Sequence, residues 1–301
     1  ELRFVSKTNA SGTALLAEGC DVVDPFVGEL PEGAQVRREP ASWTLLLFGV
    51  NPADASRPSP FSNQVVRQAA AACIDRTAVA QAAGGVLAQA YVPADSLYFA
   101  PQAVPPAYDP AAAASLLTGA GWVDADNDPA TPRTALGAPG FAVDAPLALS
   151  LYVSPDASQQ AAAQVIQQGL AACGFQMTLQ TLPPAEYLAA GPAGPVFGRS
   201  FDLALFAFPA AELPPCNLFL SREIPGEYPA FSKGWGGVNA AGYASPAFDR
   251  ACTSARTALP GDPALLQDFA QVQSLLAQDL PFLPLYWQER VIVTRSGISV
   301  P

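Results

Sequence analysis

The chain has 301 residues, half of them hydrophobic and 14% charged, so it can build a large apolar core. It carries 15 basic and 26 acidic residues, a net charge of -11 that repels phosphate backbones and anionic head groups and argues against a nucleic-acid partner. There is no histidine, which removes Ser-His-Asp and Cys-His catalysis, histidine-held zinc and imidazole acid–base chemistry; Lys7 and Lys233 alone remain for a Schiff base.

No stretch reaches the roughly 18 uninterrupted apolar residues of a membrane span. Glu1 opens directly into a strand-like run rather than a leader peptide, as in a mature or shortened chain. Residues 2–6 read as a strand, Asn9 to Glu18 as a short helix ended by Gly19, and 21–24 as a second strand. Residues 43–49 (WTLLLFG) are a continuous apolar run of strand length, the pattern of a strand covered on both faces. A loop rich in proline and serine follows.

Ser62 then reads as the N-cap of a helix through "FSNQVVRQAAAACIDR". Val66, Ala69, Ala70, Cys73, Ile74 and Thr77 fall on one helical stripe, which makes Cys73 a small core hydrophobe rather than a reactive thiol. Arg67 and Asp75, two turns apart, lie near one face of that helix, each bracing a neighbouring element. Asp109 and Pro110 open the next helix. Residues 147–153 alternate, with Leu147, Leu149, Leu151 and Val153 on one face. Asp156 caps a helix whose stripe runs from Ala162 to Cys173 and which Gly174 ends. A strand over 175–182 completes a strand–helix–strand unit, which predicts a parallel crossover. Residues 201–207 (FDLALFA) are one more strand. From Phe208 to Tyr243 the chain is irregular and rich in proline, glycine and aromatics. Ser245–Pro246 and Asp262–Pro263 start two further helices, and a final strand covers 284–294. The expectation is an α/β fold with a central mixed sheet flanked by helices.

Asp124, Asp126 and Asp128 alternate as in a calcium loop, but the glycine of the sharp turn and the late glutamate are missing, so a solvated turn is expected and no metal or cofactor is read from the sequence.

Five segments occur together in one order. They are "LLAEGCDVVDP", "LLLFGVNPADASRPSPFSNQVVRQAAAACIDRTAVAQ", "YDPAAAASLLTGAGWVDADND", "GYASPAFDRAC" and "DLPFLPLYW". In that order the chain resembles the family 5 extracellular solute-binding proteins, the dipeptide- and oligopeptide-binding receptors of ABC importers. The resemblance implies a periplasmic-binding-protein type II-like lobe and capture of a peptide or other small solute in a cleft between two lobes. It also implies delivery to a membrane permease and no catalysis. The home would be extracellular or periplasmic, with a membrane anchor in the full-length receptor. Members of the family are longer, so residues 50–290 are expected to be the second lobe, 1–49 a strip of the first lobe with its crossover, and 291–301 the crossover back. The rest of the first lobe would be a missing partner of this chain.

Ligand contacts are then expected from the irregular segment and the last strand: Phe208, Glu212, Trp235, Asn239, Tyr286 and Trp287, clustered on one concave face. Peptide receptors of the family often carry an acid after a Gly-Trp pair. Here "AFPAAELPPC" has Phe208 in place of the tryptophan and Glu212 as its one acid, a departure that weakens the peptide reading. In an exported receptor the five cysteines imply disulfides with one left over. Cys216 is expected to pair with Cys252, closing a loop of about 37 residues, worth roughly 4 kcal/mol in the chain-entropy picture. Cys73 and Cys173 bridge only if their helices pack side by side; simple packing is the expectation, and Cys20 should be free. The alternative class is a carboxylate-based hydrolase, such as a glycosidase using Glu186 or Glu212 with an aspartate.

Overall fold

The structure is a computed structural model that describes residues 11–298 except Pro129, Glu212, Tyr228 and Pro260. The strand expected over 2–6 and the start of the helix at Asn9 lie outside the described residues. Ser11 caps α1 (Gly12–Ala17), its Oγ accepting from the Ala14 N–H. β1 (Val22–Val23) follows. β2 (Gln35–Phe48) has 14 residues and begins well before the run expected at 43. Its outer half is polar and largely exposed, so no apolar pattern announces it.

The single helix expected from Ser62 is two. Asn63 is the cap of α2 (Gln64–Ala72), and its Oδ1 accepts from the Val65 N–H. The helix stops at Cys73. Asp75 then caps α3 (Arg76–Ala82), accepting from the N–H groups of Thr77 and Ala78. Asp75 therefore starts its own helix rather than bracing a neighbour. Arg67 does brace one: Nε and Nη2 donate to the Asp279 carbonyl at 2.8 and 2.6 Å, and Nη1 donates to the Phe61 carbonyl. Burial pulls this guanidinium down to about 10, so it stays charged at neutral pH.

β3 (Val86–Leu87) precedes α4 (Pro110–Gly119), which Asp109 caps as expected. β4 (Trp122–Val123) and β5 (Thr134–Ala135) pair as a small ladder. In the loop between them, Asp124, Asp126 and Asp128 accept from the N–H groups of Asn127, Asp128 and Ala130. Their carboxylates close their own turn.

β6 (Ala148–Val153), α5 (Ala157–Ala172) and β7 (Gln176–Thr181) form the expected crossover, with β6 and β7 parallel. The chain continues through α6 (Pro184–Tyr187), β8 (Leu203–Pro209), α7 (Pro246–Thr257), α8 (Pro263–Asp279) and β9 (Phe282–Thr294). Ser245 and Asp262 cap α7 and α8.

Among the described residues, seven strands make one mixed sheet in the order β1-β9-β2-β8-β6-β7, with β3 also on β9. β2 is antiparallel to β8 and β9, while β6 is parallel to β7 and β8. α2 to α5 bury one face over Leu46, Phe48, Leu151 and Leu283. α7, α8 and the irregular segment bury the other over Trp43, Leu45, Leu47 and Phe206. A small third cluster, Val23, Phe26 and Val293, lies at the far end of the β2/β9 ribbon.

Two disulfides are closed, Cys216–Cys252 and Cys73–Cys173. The second corrects the expectation of simple packing. Cys73 and Cys173 are the C-caps of α2 and α5, and the two helix ends meet because Gly169 has no side chain. A Cβ there would lie 2.5 Å from the Cys73 carbonyl oxygen. Cys20 is free and half-buried. Thiol titration in denaturant without reductant is expected to count one thiol; three would open one bridge and five would open both.

Candidate ligand-binding recess

β2 runs between β9 and β8, and the register sets Trp43 opposite Trp287 on one side and Phe208 on the other. Three aromatic side chains thus form one row across three antiparallel strands. Ring centroids stand 6.3 Å apart for Trp43–Trp287 and 5.5 Å for Trp43–Phe208, distances at which aromatic pairs attract. Tyr91 and Phe282 pack against Trp43 at 5.8 and 5.5 Å.

Beside Trp43 and Trp287 lies a shallow recess, partly open to solvent. One wall is Tyr91, Val92, Pro93 and Ser96; the other is Ala211, Pro214 and Pro215. The Tyr91 hydroxyl is buried and makes no hydrogen bond to any described residue. Burial pushes this phenol far above the usual tyrosine range, so it remains an O–H, able to donate and to accept. Phe208 sits near the carboxyl end of β8, the end of an open α/β sheet where ligands are commonly held.

The row takes in two of the six expected contacts, Phe208 and Trp287. Tyr286 is on the opposite face, fully buried in the core under α2 to α5. Neighbouring strand residues point to opposite faces, and a bulge places Tyr286 opposite Thr44 but Pro284 opposite Leu45. Asn239 is also fully buried: its amide nitrogen lies 2.7–3.1 Å from the carbonyls of Phe219, Leu220 and Tyr243, and its Oδ1 accepts from the Tyr243 N–H. Trp235 donates from Nε1 to the Phe197 carbonyl and covers Gly191, where a Cβ would come within 2.0 Å of that nitrogen. These three side chains are part of the fold and not of the recess wall. Glu212 lies outside the described residues; its neighbour Ala211 lines the recess. Glu186, the carboxylate of the hydrolase alternative, is exposed in the first turn of α6, and the described lining of the recess holds no carboxylate.

Sequence reasoning named neither Trp43 nor Tyr91, which the structure places beside the recess. Trp43 looked like the first residue of a buried strand, which it also is. Tyr91 stands in a short apolar run with no period to mark it.

Asn239→Ala is expected to lower the unfolding free energy by about 3 kcal/mol, since it strips a donor from buried carbonyls. Urea unfolding reads this directly. A loss below about 0.5 kcal/mol, within the range of ordinary surface substitutions, would mean those carbonyls find other partners.

A family profile described as bacterial extracellular solute-binding proteins, family 5 Middle, matches residues 1–255. Among solved structures, an oligopeptide-binding protein from Thermus thermophilus complexed with a pentapeptide superposes with a TM-score of 0.72 at 17% identity, over 95% of this chain and 50% of that one. A dipeptide-binding protein from a Pseudoalteromonas species in complex with Met-Leu gives 0.64 at 22% identity, over 96% and 53%. A mannohexaose-bound oligopeptide-binding protein of an ABC transporter from Thermotoga maritima gives 0.67 at 19%, over 95% and 50%. At these identities the likeness is one of fold, that of a periplasmic binding protein of type II. The chain spans about half the length of these structures. No curated protein sequence matches it.

Proposed function

This chain belongs to the bacterial extracellular solute-binding proteins of family 5, and from that membership we propose that it is a ligand-holding lobe of the substrate-binding component of an ABC importer. Residues 50–290 make the lobe proper, which the inner half of β2 (Trp43 to Phe48) enters as a central strand, and 1–49 with 291–301 are the crossover segments with a strip of a companion lobe. The observation that carries the reading is the aromatic row Trp287–Trp43–Phe208 across three inner strands, beside a partly open recess. Apolar walls with a few polar groups suit capture of a small solute. Relatives of this fold hold a pentapeptide, the dipeptide Met-Leu and mannohexaose, which bounds the ligand to a peptide or another small solute. The partners are then that solute and a membrane permease. An extracellular or periplasmic home agrees with the two disulfides. The family and its structural neighbours are binding proteins rather than enzymes.

The test is a titration of the purified chain with peptides and neutral oligosaccharides, following tryptophan emission and thermal unfolding. A saturable change in emission is expected for one class. At a hundredfold excess over Kd it should come with about 2.7 kcal/mol of stabilisation. The ligand should be recovered unaltered after long incubation. Silence from every class, or a hydrolysed ligand, would sink the reading.

A further inference from the structure

We propose that the outer edge of β7 is a self-association surface, on which a second copy of this chain adds its own β7 antiparallel about a two-fold axis. The two sheets then run on as one.

β7 ends the sheet on one side, with β6 as its one neighbour among the described strands. The N–H groups of Gln176 and Leu182 donate to the Leu147 and Val153 carbonyls on the β6 side. Alternation along the strand sends the N–H and C=O groups of Met177, Leu179 and Thr181 the other way. Among the described residues, none of those three N–H groups meets an acceptor. The Gln167 amide donates to the Met177 carbonyl, which keeps a second lone pair. Such an edge is a template for another strand, and proteins blunt it with short strands, lysine, proline or a bulge. The opposite edge is blunted, since β1 has two residues. β7 has six, QMTLQT, with neither lysine nor proline and an unbroken register.

Charge selects the occupant. Residues 157–185, which hold α5 and β7, carry no charged side chain, in a chain with 14% charged residues and a net charge of -11. A basic partner finds no counter-charge there. Copies of an acidic chain repel one another, and a neutral face is where they can meet. The strand is also self-complementary. With Leu179 opposite its own copy, Met177 falls opposite Thr181, and these outward-facing pairs exchange N–H···O bonds. Thr178 falls opposite Gln180 on the exposed face, neutral against neutral. Gln160 and Gln167 of α5 reach the same edge, donating to Thr181 Oγ1 and the Met177 carbonyl, and so add amides rather than charges. The contact presents the same patch from both copies, so it closes at two. β7 lies three strands from β2, which leaves the β2/β9 ribbon free.

The experiment is sedimentation velocity of the whole chain over a concentration series. The parent should pass from monomer to dimer as concentration rises. A parent that stays monomeric up to about 1 mM leaves the edge to some other strand and overturns the proposal. A ladder of larger species means a head-to-tail contact and overturns it too. The double variant Thr178→Lys/Gln180→Lys sets lysine opposite lysine across the two-fold axis, at positions exposed in the single chain. It should unfold at the parent's urea midpoint and dimerise at least tenfold more weakly. An unchanged dimer in this folded variant puts the contact elsewhere and overturns the proposal. Thr178→Glu/Gln180→Glu should weaken the dimer likewise. An equimolar mixture of the two variants should then dimerise at least as tightly as the parent. A mixture that stays monomeric overturns the antiparallel pairing.

Discussion

The double variant Cys73→Ala/Cys173→Ala is expected to lose about 4–5 kcal/mol of unfolding free energy. The bridge joins positions 100 residues apart, and closing a loop of that length removes roughly 4.7 kcal/mol of chain entropy from the unfolded state. Both sulfurs are also core atoms, with Cys73 fully buried and Cys173 nearly so, and their loss removes packing as well. The bridge ties the α2/α3 junction to the end of α5, so its two ends belong to different layers of chain order but to one hydrophobic cluster. Urea unfolding should show a lower midpoint. The slope m should rise, because the unlinked unfolded chain exposes more surface. A loss under about 1 kcal/mol with an unchanged slope would mean that packing alone holds the two helix ends. The Cys216–Cys252 bridge spans 36 positions and should contribute slightly less by the same argument.

Trp43→Ala is expected to cost about 3–5 kcal/mol and to abolish the emission response to ligand. Trp43 is 1% exposed and contacts the rings of Tyr91, Phe208, Phe282 and Trp287. Truncating an aromatic of this size in a packed site loses its transfer free energy and leaves a cavity. The same side chain is the floor of the recess, so stability and binding fall together. Trp43→Phe separates the two: a phenyl ring fills most of the space, and the stability cost should drop to about 1–2 kcal/mol. Because a phenyl offers a smaller face, ligand affinity should still fall. Titration and urea unfolding of both variants give four numbers. A Trp43→Ala protein that folds and binds like the parent would remove this row from the site.

The caps were the most legible part of the sequence. Asp109, Asp156, Ser245 and Asp262 each start a helix, because a short oxygen-bearing side chain can take up N–H groups that the first turn leaves unpaired. The β6 strand was legible from its alternation, with Leu149, Leu151 and Val153 buried. The α2–α3 break was not, because Cys73 and Ile74 continue the apolar stripe straight through it. The one local sign was Asp75, which reads equally as a surface residue of a longer helix. The outer half of β2 was hidden for the opposite reason, being polar where a strand has no cover.

The site was legible in part for a different reason. Phe208 and Trp287, both expected from the sequence to face one concave surface, do stand in one row. What joins them is Trp43 between them, and that depends on register among residues 43, 208 and 287, far apart in sequence. No window of sequence contains that row. Asn239 misled because a polar side chain in an irregular segment looks like a ligand contact. In this fold it supplies the hydrogen bonds that a segment without regular structure cannot supply for itself.

The β2/β9 ribbon has a mechanical side. Its inner end is clamped in the lobe at Trp43 and Trp287, and its outer end is gripped by the Val23–Phe26–Val293 cluster. Between them the ribbon has no core cluster on it: Arg290 of β9 pairs with Glu39 of β2 and with Asp24, and the register shifts at Ala41. Two strands joined edge to edge resist stretching, since lengthening breaks their hydrogen bonds, but flex readily across the uncovered face. The ribbon thus behaves as a reed fixed at both ends.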